Sequence, residues 1–199
     1  MQLTDFKGIH QGKRLFILAS GPSLEELDLT LLNKRIVMGL NRSFFKYENT
    51  HYHCCMDTRL FDLYPKELKR TRYLFTLPDR PFGIELKLLG SEGFSWDLEE
   101  GIYSGYTISY FALQVALYMG FEEIFFLGLD LKNQGRQTHF FGHDFHSANH
   151  NTTEFPKMIK MLNAASRILK TKQTKIYNCS PVSSLTCFPH ISFEEAVAR

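Results

Sequence analysis

The sequence predicts one α/β domain of Rossmann-like build, a mostly parallel sheet with helices on both faces, spanning residues 1–199. Three observations predict it. Short apolar runs recur along the chain and are separated by longer helical patterns, the alternation that right-handed crossovers turn into a covered parallel sheet. Several runs end in a small or polar residue, as strands do where they open onto a ligand crevice. The 199 residues are 44% hydrophobic and 14% aromatic, enough for one substantial core and without the polar excess of a disordered chain.

In chain order, residues 14–20 (RLFILAS) read as a buried strand, followed by a Gly21-Pro22 turn and a helix start. Ser23 and Glu26 have the spacing of a capping box, in which the serine accepts from an early helix amide and the glutamate reaches back. Further strands are expected at 35–40 (RIVMGL), 51–56 (HYHCCM), 72–77 (RYLFTL), 124–128 (IFFLG) and 175–179 (KIYNC). Residues 107–119 are apolar nearly all round, as suits a helix wedged against a sheet. Residues 154–171 are amphipathic, with Ile159, Leu162, Ala165, Ile168 and Leu169 on one side. The stretch 78–103 contains four glycines without clear periodicity, and with 132–152 it is expected to form a lid or pocket loop. The 18 Phe point to a core and pocket rich in aromatic rings.

Charge and cysteine usage narrow the function classes. Lys and Arg exceed Asp and Glu by only 23 to 21, a net +2, so overall charge does not predict a nucleic-acid partner. Cys54, Cys55, Cys179 and Cys187 form no CxxC pair, and adjacent cysteines on a strand point to opposite faces, so reduced structural thiols are expected. The first residues hold Asp5 and Lys7 and no long apolar stretch. Neither a signal peptide nor a membrane span is therefore expected, and the cytoplasm is the expected location.

Ligands of parallel sheets bind beyond the carboxyl ends of the strands, which selects the candidates. Gly21, Pro22 and Ser23 follow the first strand, where a glycine permits close approach and helix amides attract phosphate; a plain turn explains them equally. Asn41 follows the second strand and can bond base, ribose or phosphate through both amide atoms, or simply make an Asx turn. Ser104 and Gly105, ahead of the apolar helix, offer a hydroxyl and amides to an anion. Asp130 closes the most apolar strand and is expected to contact ligand, the alternative being a cap on a neighbouring loop. Residues 138–151 carry His139, His143, His146 and His150. Their spacing, with Gly142, Ser147 and Asn149 among them, favours a loop with one histidine as general base over a metal site. Ser180, Ser183 and Ser184 follow the last strand and fit either a phosphate or a polar turn.

In this order, FILASGPSL (16–24), GLNRSFF (39–45), the stretch 102–131 and FFGHD (140–144) resemble the bacterial sialyltransferases of glycosyltransferase family 42. They also resemble the related Rossmann-like domains of motility accessory factors and of the archaeal 6-hydroxymethylpterin pyrophosphokinase type. The resemblance implies a cytidine-monophosphate (CMP) sugar donor bound without a metal, with no further cofactor, and a glycan acceptor in surface polysaccharide or lipooligosaccharide synthesis. By position it implies Gly21, Pro22 and Ser23 near the donor phosphate, Asn41 after the second strand, Ser104 and Gly105 at the cytidine end, Asp130 closing the G-x-D strand, and His143 as catalytic base of an inverting transfer. Lys132 stands where the sialyltransferases have a tyrosine, so Lys132 or Arg136 is expected to neutralise the departing phosphate. Peripheral membrane association and self-association are compatible with this picture. Two other functions are compatible with the same residues: an ATP- and magnesium-dependent pyrophosphokinase using Asp57 and Asp130, and a non-catalytic nucleotide- or sugar-binding module.

Overall fold

Seven strands, parallel throughout, make the central sheet. The computed structural model describes residues 2–133, 137–142 and 148–199. Within them the strands are β1 (Arg14–Leu18), β2 (Val37–Leu40), β3 (Tyr52–Cys55), β4 (Tyr73–Thr76), β5 (Ile84–Glu85), β8 (Glu123–Leu127) and β9 (Lys175–Asn178). A separate two-stranded ribbon pairs β6 (Leu88–Gly90) with β7 (Ile102–Tyr103). The sheet order is β5-β4-β3-β2-β1-β8-β9. The chain thus builds outward from β1 in one direction and then returns to its other side, which puts the topological switch point between β1 and β8. All six expected strands form. β5 was not anticipated, because a two-residue strand in a glycine-rich segment has no period to read.

The helices are α1 (Thr58–Leu63), α2 (Pro65–Arg70), α3 (Ile108–Tyr118), α4 (Ala148–Leu169) and α5 (Phe193–Ala198). Thr107 caps α3 by accepting from the Ser109 amide, and α3 buries Tyr110, Phe111, Leu113 and Val115 against the sheet. With α4 it covers one face, where Leu15, Ile17, Ile124, Phe126, Leu162 and Ala165 share a core. On the other face a ladder of rings crosses the sheet in register: Phe16 stacks on Phe125 (5.0 Å between centroids) and Phe125 on Tyr177 (5.3 Å). Part of the phenylalanine excess is spent there. Cys54 and Cys55 fall in different core clusters, as their alternation requires, and all four cysteines are free thiols.

Three local expectations are corrected. After β1 the chain makes a 3-10 turn, Pro22–Glu26, with Gly21 at its N-cap, and the Ser23/Glu26 capping box does not form. Pro22, with its φ fixed near the helical value, starts the turn one residue ahead of Ser23, leaving the serine inside the turn with its hydroxyl free for another partner. The long helix begins at Ala148, so Asn149 and His150, expected in a loop, are helical, and Pro156 sits within it. Finally, the 78–103 stretch is fastened down: the amides of Ser95 and Tyr103 donate to the Gln114 side chain, and the Tyr110 hydroxyl donates to the Gly93 carbonyl (2.6 Å). Among the described residues no helix is long and apolar enough to cross a membrane.

Candidate functional site

A cleft of about 430 Å³ opens at the carboxyl rim over the switch point, within the size range of small-molecule sites. Its walls come from four strand ends, Gly21 after β1, Asn41 after β2, Met56 and Asp57 after β3, and Asp130 to Lys132 after β8, whereas Ser180, Ser183 and Ser184 after β9 do not line it. Tyr106 to Ser109 at the start of α3 close one side, Thr138 and His139 another, and Phe155 and Met158 of α4 a third. A larger cavity, about 720 Å³, lies at the opposite rim and is lined by Lys13, Arg14, Lys34, Arg35, Glu122, Glu123 and Lys175. None of the predicted site residues lines it, and the strand-end argument does not select that rim.

Asp130 is buried, and both its carboxylate oxygens accept from Ser23, one from the amide (2.8 Å) and one from the hydroxyl (2.5 Å). The residue expected to contact ligand therefore also realises its alternative role, bracing a neighbouring loop. Gly21 is required by the same junction: a Cβ there would sit 2.5 Å from the Gly128 carbonyl and 2.6 Å from the Asp130 carboxylate. Its amide is taken by that carbonyl (2.8 Å), so the turn offers fewer open amides than expected. Pro22 and Ser23 are buried just behind the cleft wall.

Ser104 and Gly105 sit beside the cleft without lining it, and their amides donate to the Gly90 and Ser91 carbonyls (both 3.0 Å). These two residues shape the approach to α3, and Tyr106 and Thr107 are the ones that reach the opening. A left-handed backbone at Gly105 (φ 55°) lets the chain pass against the Tyr110 ring. Tyr106 (φ 61°), Asn41 (φ 46°) and Leu131 (φ 50°) also adopt left-handed conformations, and all three line the cleft. Backbone held in sparsely populated regions gathers at functional sites.

Arg59 was not anticipated from the sequence. Asp57 caps α1 by accepting from the Arg59 amide (3.0 Å) and grips the guanidinium through both oxygens (2.7 and 3.1 Å). Burial pushes the Asp57 carboxyl up, but the Arg59 hydrogen bonds and charge outweigh it and hold the group below its ordinary range. With Lys132 exposed nearby, the opening carries cationic groups on two sides. Across it, the residues preceding His143 form a small turn. Phe140 donates its amide to the Ser20 carbonyl (3.1 Å), His139 stacks on Phe141 (4.8 Å), and Arg42 lies over the outer ring (4.7 Å). The two phenylalanines thus pin Thr138 and His139 to the cleft wall. His143, Asp144 and His146, like Arg136, lie outside the described residues. Ser183 donates to the Leu129 carbonyl (2.6 Å) and accepts from the Leu185 amide, the turn role among its alternatives.

Beneath Asn41 lies His53, fully buried in β3, with Nε2 2.8 Å from the Asn41 carbonyl. Burial pushes the imidazole down to about 4, although the bond to Asn41 opposes the fall. At acid pH the unfolded chain therefore takes up a proton that the native state refuses. Stability is full above the ordinary value of 6.5 and falls as the pH drops towards 4, by about 3 kcal/mol over the whole window. Urea midpoints at pH 7.5 and 4.5 check this, and the acid loss should shrink in a His53→Phe variant.

No known protein-family profile matches the chain, and no curated protein matches it. Solved structures do. The sialyltransferase CstII from Campylobacter jejuni, in complex with cytidine-5'-monophosphate, superposes with a TM-score of 0.54 at 21% identity, over 92% of this chain and 86% of that one. This chain shares its fold. The complex of CstII with CMP-3FNeuAc gives a TM-score of 0.52 at 18% identity, over 90% of this chain and 86% of the other. A CstII variant with CMP gives 0.54 at 19% identity over the same shares. The Rossmann-like sheet inferred from the strand pattern is thus found in solved proteins of this architecture.

Proposed function

We propose that this protein binds a cytidine-monophosphate sugar in the switch-point cleft and transfers the sugar to a glycan acceptor. The observation that carries the proposal is the meeting of Gly21, Asn41, Asp130 and Lys132, far apart in sequence, around one opening, in a fold shared with sialyltransferases solved with CMP. In the proposed reaction the His143 imidazole takes the proton of an acceptor hydroxyl while that oxygen attacks the anomeric carbon of the donor. The new carbon–oxygen bond forms as the sugar–phosphate bond breaks, and its electron pair leaves on the CMP phosphate. Lys132 supplies positive charge to that phosphate in place of a tyrosine hydroxyl. The same chemistry fits an enzyme of surface glycan synthesis.

The pyrophosphokinase alternative requires carboxylates available to magnesium, and Asp57 and Asp130 are engaged by Arg59 and Ser23. Nucleotide preference tests the choice. At a CMP concentration about 100 times its Kd, binding should add about 2.7 kcal/mol and raise Tm by roughly 5–10 °C without magnesium. Stabilisation by ATP only when magnesium is present would replace the proposal with the kinase, and no response to any nucleotide would remove it. For the phosphate contact, Lys132→Ala should weaken CMP by about tenfold and leave cytidine binding unchanged. Equal losses for CMP and cytidine would move Lys132 away from the phosphate.

A further inference from the structure

Asn41 lines the cleft in a left-handed conformation, and its side-chain oxygen is buried without a hydrogen-bond partner among the described residues. Asparagine tolerates this backbone better than most residues, but something must still hold it there. The Asn41 carbonyl can only accept, so the 2.8 Å approach of His53 Nε2 fixes the imidazole tautomer with its proton on Nε2. Nδ1 is then a bare acceptor, and it is buried with no partner among the described residues. Packing alone gives no reason for an imidazole here, since an apolar ring would fill the space without leaving a polar atom unpaired. β2 makes room for it: Gly39 is the cross-strand neighbour of His53, and any Cβ there would overlap the ring.

We infer that His53 is a positioning residue: its Nε2 proton holds the Asn41 backbone so that the Asn41 carboxamide faces the bound nucleotide. The function of Asn41 in this statement rests on the proposed donor site. The device is also sensitive to acid. Around the ring, β2 contributes Gly39, the turn Asn41–Phe45 contributes Ser43 and Phe44, and β4 contributes Leu74. None of these ionises, and Arg42, the charged member of the turn, lies over Phe141 instead. A second proton would thus enter Nδ1 with no counter-charge, leaving an uncompensated charge buried directly beneath Asn41.

The test combines amide resonances with affinity. His53→Phe keeps a ring and removes the donor; it should shift the Asn41 and Arg42 amide signals and weaken CMP binding about tenfold, the scale of one lost hydrogen bond. His53→Gln, which restores an N–H, should recover most of that loss. In an Asn41→Gly background, where the backbone is relaxed and the carboxamide gone, His53→Phe should cost no further affinity. Should His53→Phe not fold, the wild-type protein titrated from pH 7.5 down to 3.5, through the value of about 4 at which the buried ring takes up its proton, serves, with the Asn41 and Arg42 signals expected to move together with the His53 ring. Unmoved amide signals in the folded variant, or in that titration, overturn the inference. A wild-type protein that binds no CMP would instead sink the donor proposal, and the amide signals would still decide the role of His53.

Discussion

His143→Ala is expected to reduce transfer from a CMP-sugar donor by a factor of about 10²–10⁴, while CMP affinity changes little. The reasoning is that a general base acts on the acceptor hydroxyl in the transition state, and the nucleotide makes its contacts elsewhere along the cleft. A loss in turnover with KM for the donor preserved is the signature of an interaction made only as the bond forms. The pH profile gives an independent check, because the acid limb of kcat should vanish with the imidazole. Undiminished turnover in the variant would take His143 out of the mechanism. In that case His139, which lines the cleft and whose Nδ1 lies 2.9 Å from the Thr138 hydroxyl, becomes the next residue to replace.

Gly21→Val is expected to cost about 3–5 kcal/mol in stability, combining an overpacked junction with the breaking of a buried carboxylate's hydrogen bonds. The new side chain would begin 2.5 Å from a backbone carbonyl and 2.6 Å from the Asp130 carboxylate, neither of which can retreat without parting β1 from β8. Ser23 would lose its grip on Asp130 at the same time, and the wall of the cleft would open. Chemical denaturation measures the stability term, and calorimetry with CMP measures the second effect, a fall in affinity beyond that of an equally destabilised core variant. A Gly21→Val protein that folds normally and binds CMP as the wild type does would show that the β1–β8 junction is not what shapes the cleft.

Much of this was legible residue by residue. The six long strands and α3 announce themselves because apolar side chains repeat with the period of the element they build. Gly21, Asn41 and Asp130 were legible as site candidates because each comes within three residues of a strand's end, and the ends of parallel strands share a rim. Lys132 was named through the resemblance alone, as the residue that stands where the sialyltransferases have a tyrosine. The capping box at Ser23 was misread for a specific reason: Ser23 and Asp130 are separated by 107 positions, and a local pattern competes with a partner that local pattern cannot contain. Arg59 was overlooked because nothing near it in sequence marks an arginine at the second position of α1 as facing a cleft. Ser104 and Gly105 were credited with open amides that Gly90 and Ser91 occupy.

The sequence by itself therefore determined the class of fold, the number and direction of the main strands, and the set of residues at their carboxyl ends. Those follow from hydrophobic periodicity and turn chemistry, which act between neighbours a few residues apart. Only the tertiary structure decided which of those ends meet, that Asp130 braces Ser23, that Arg59 and Tyr106 join the opening, and that a buried histidine holds Asn41. Such contacts depend on strand order and register across the sheet, and these are set by how whole elements pack together rather than by any stretch of the chain.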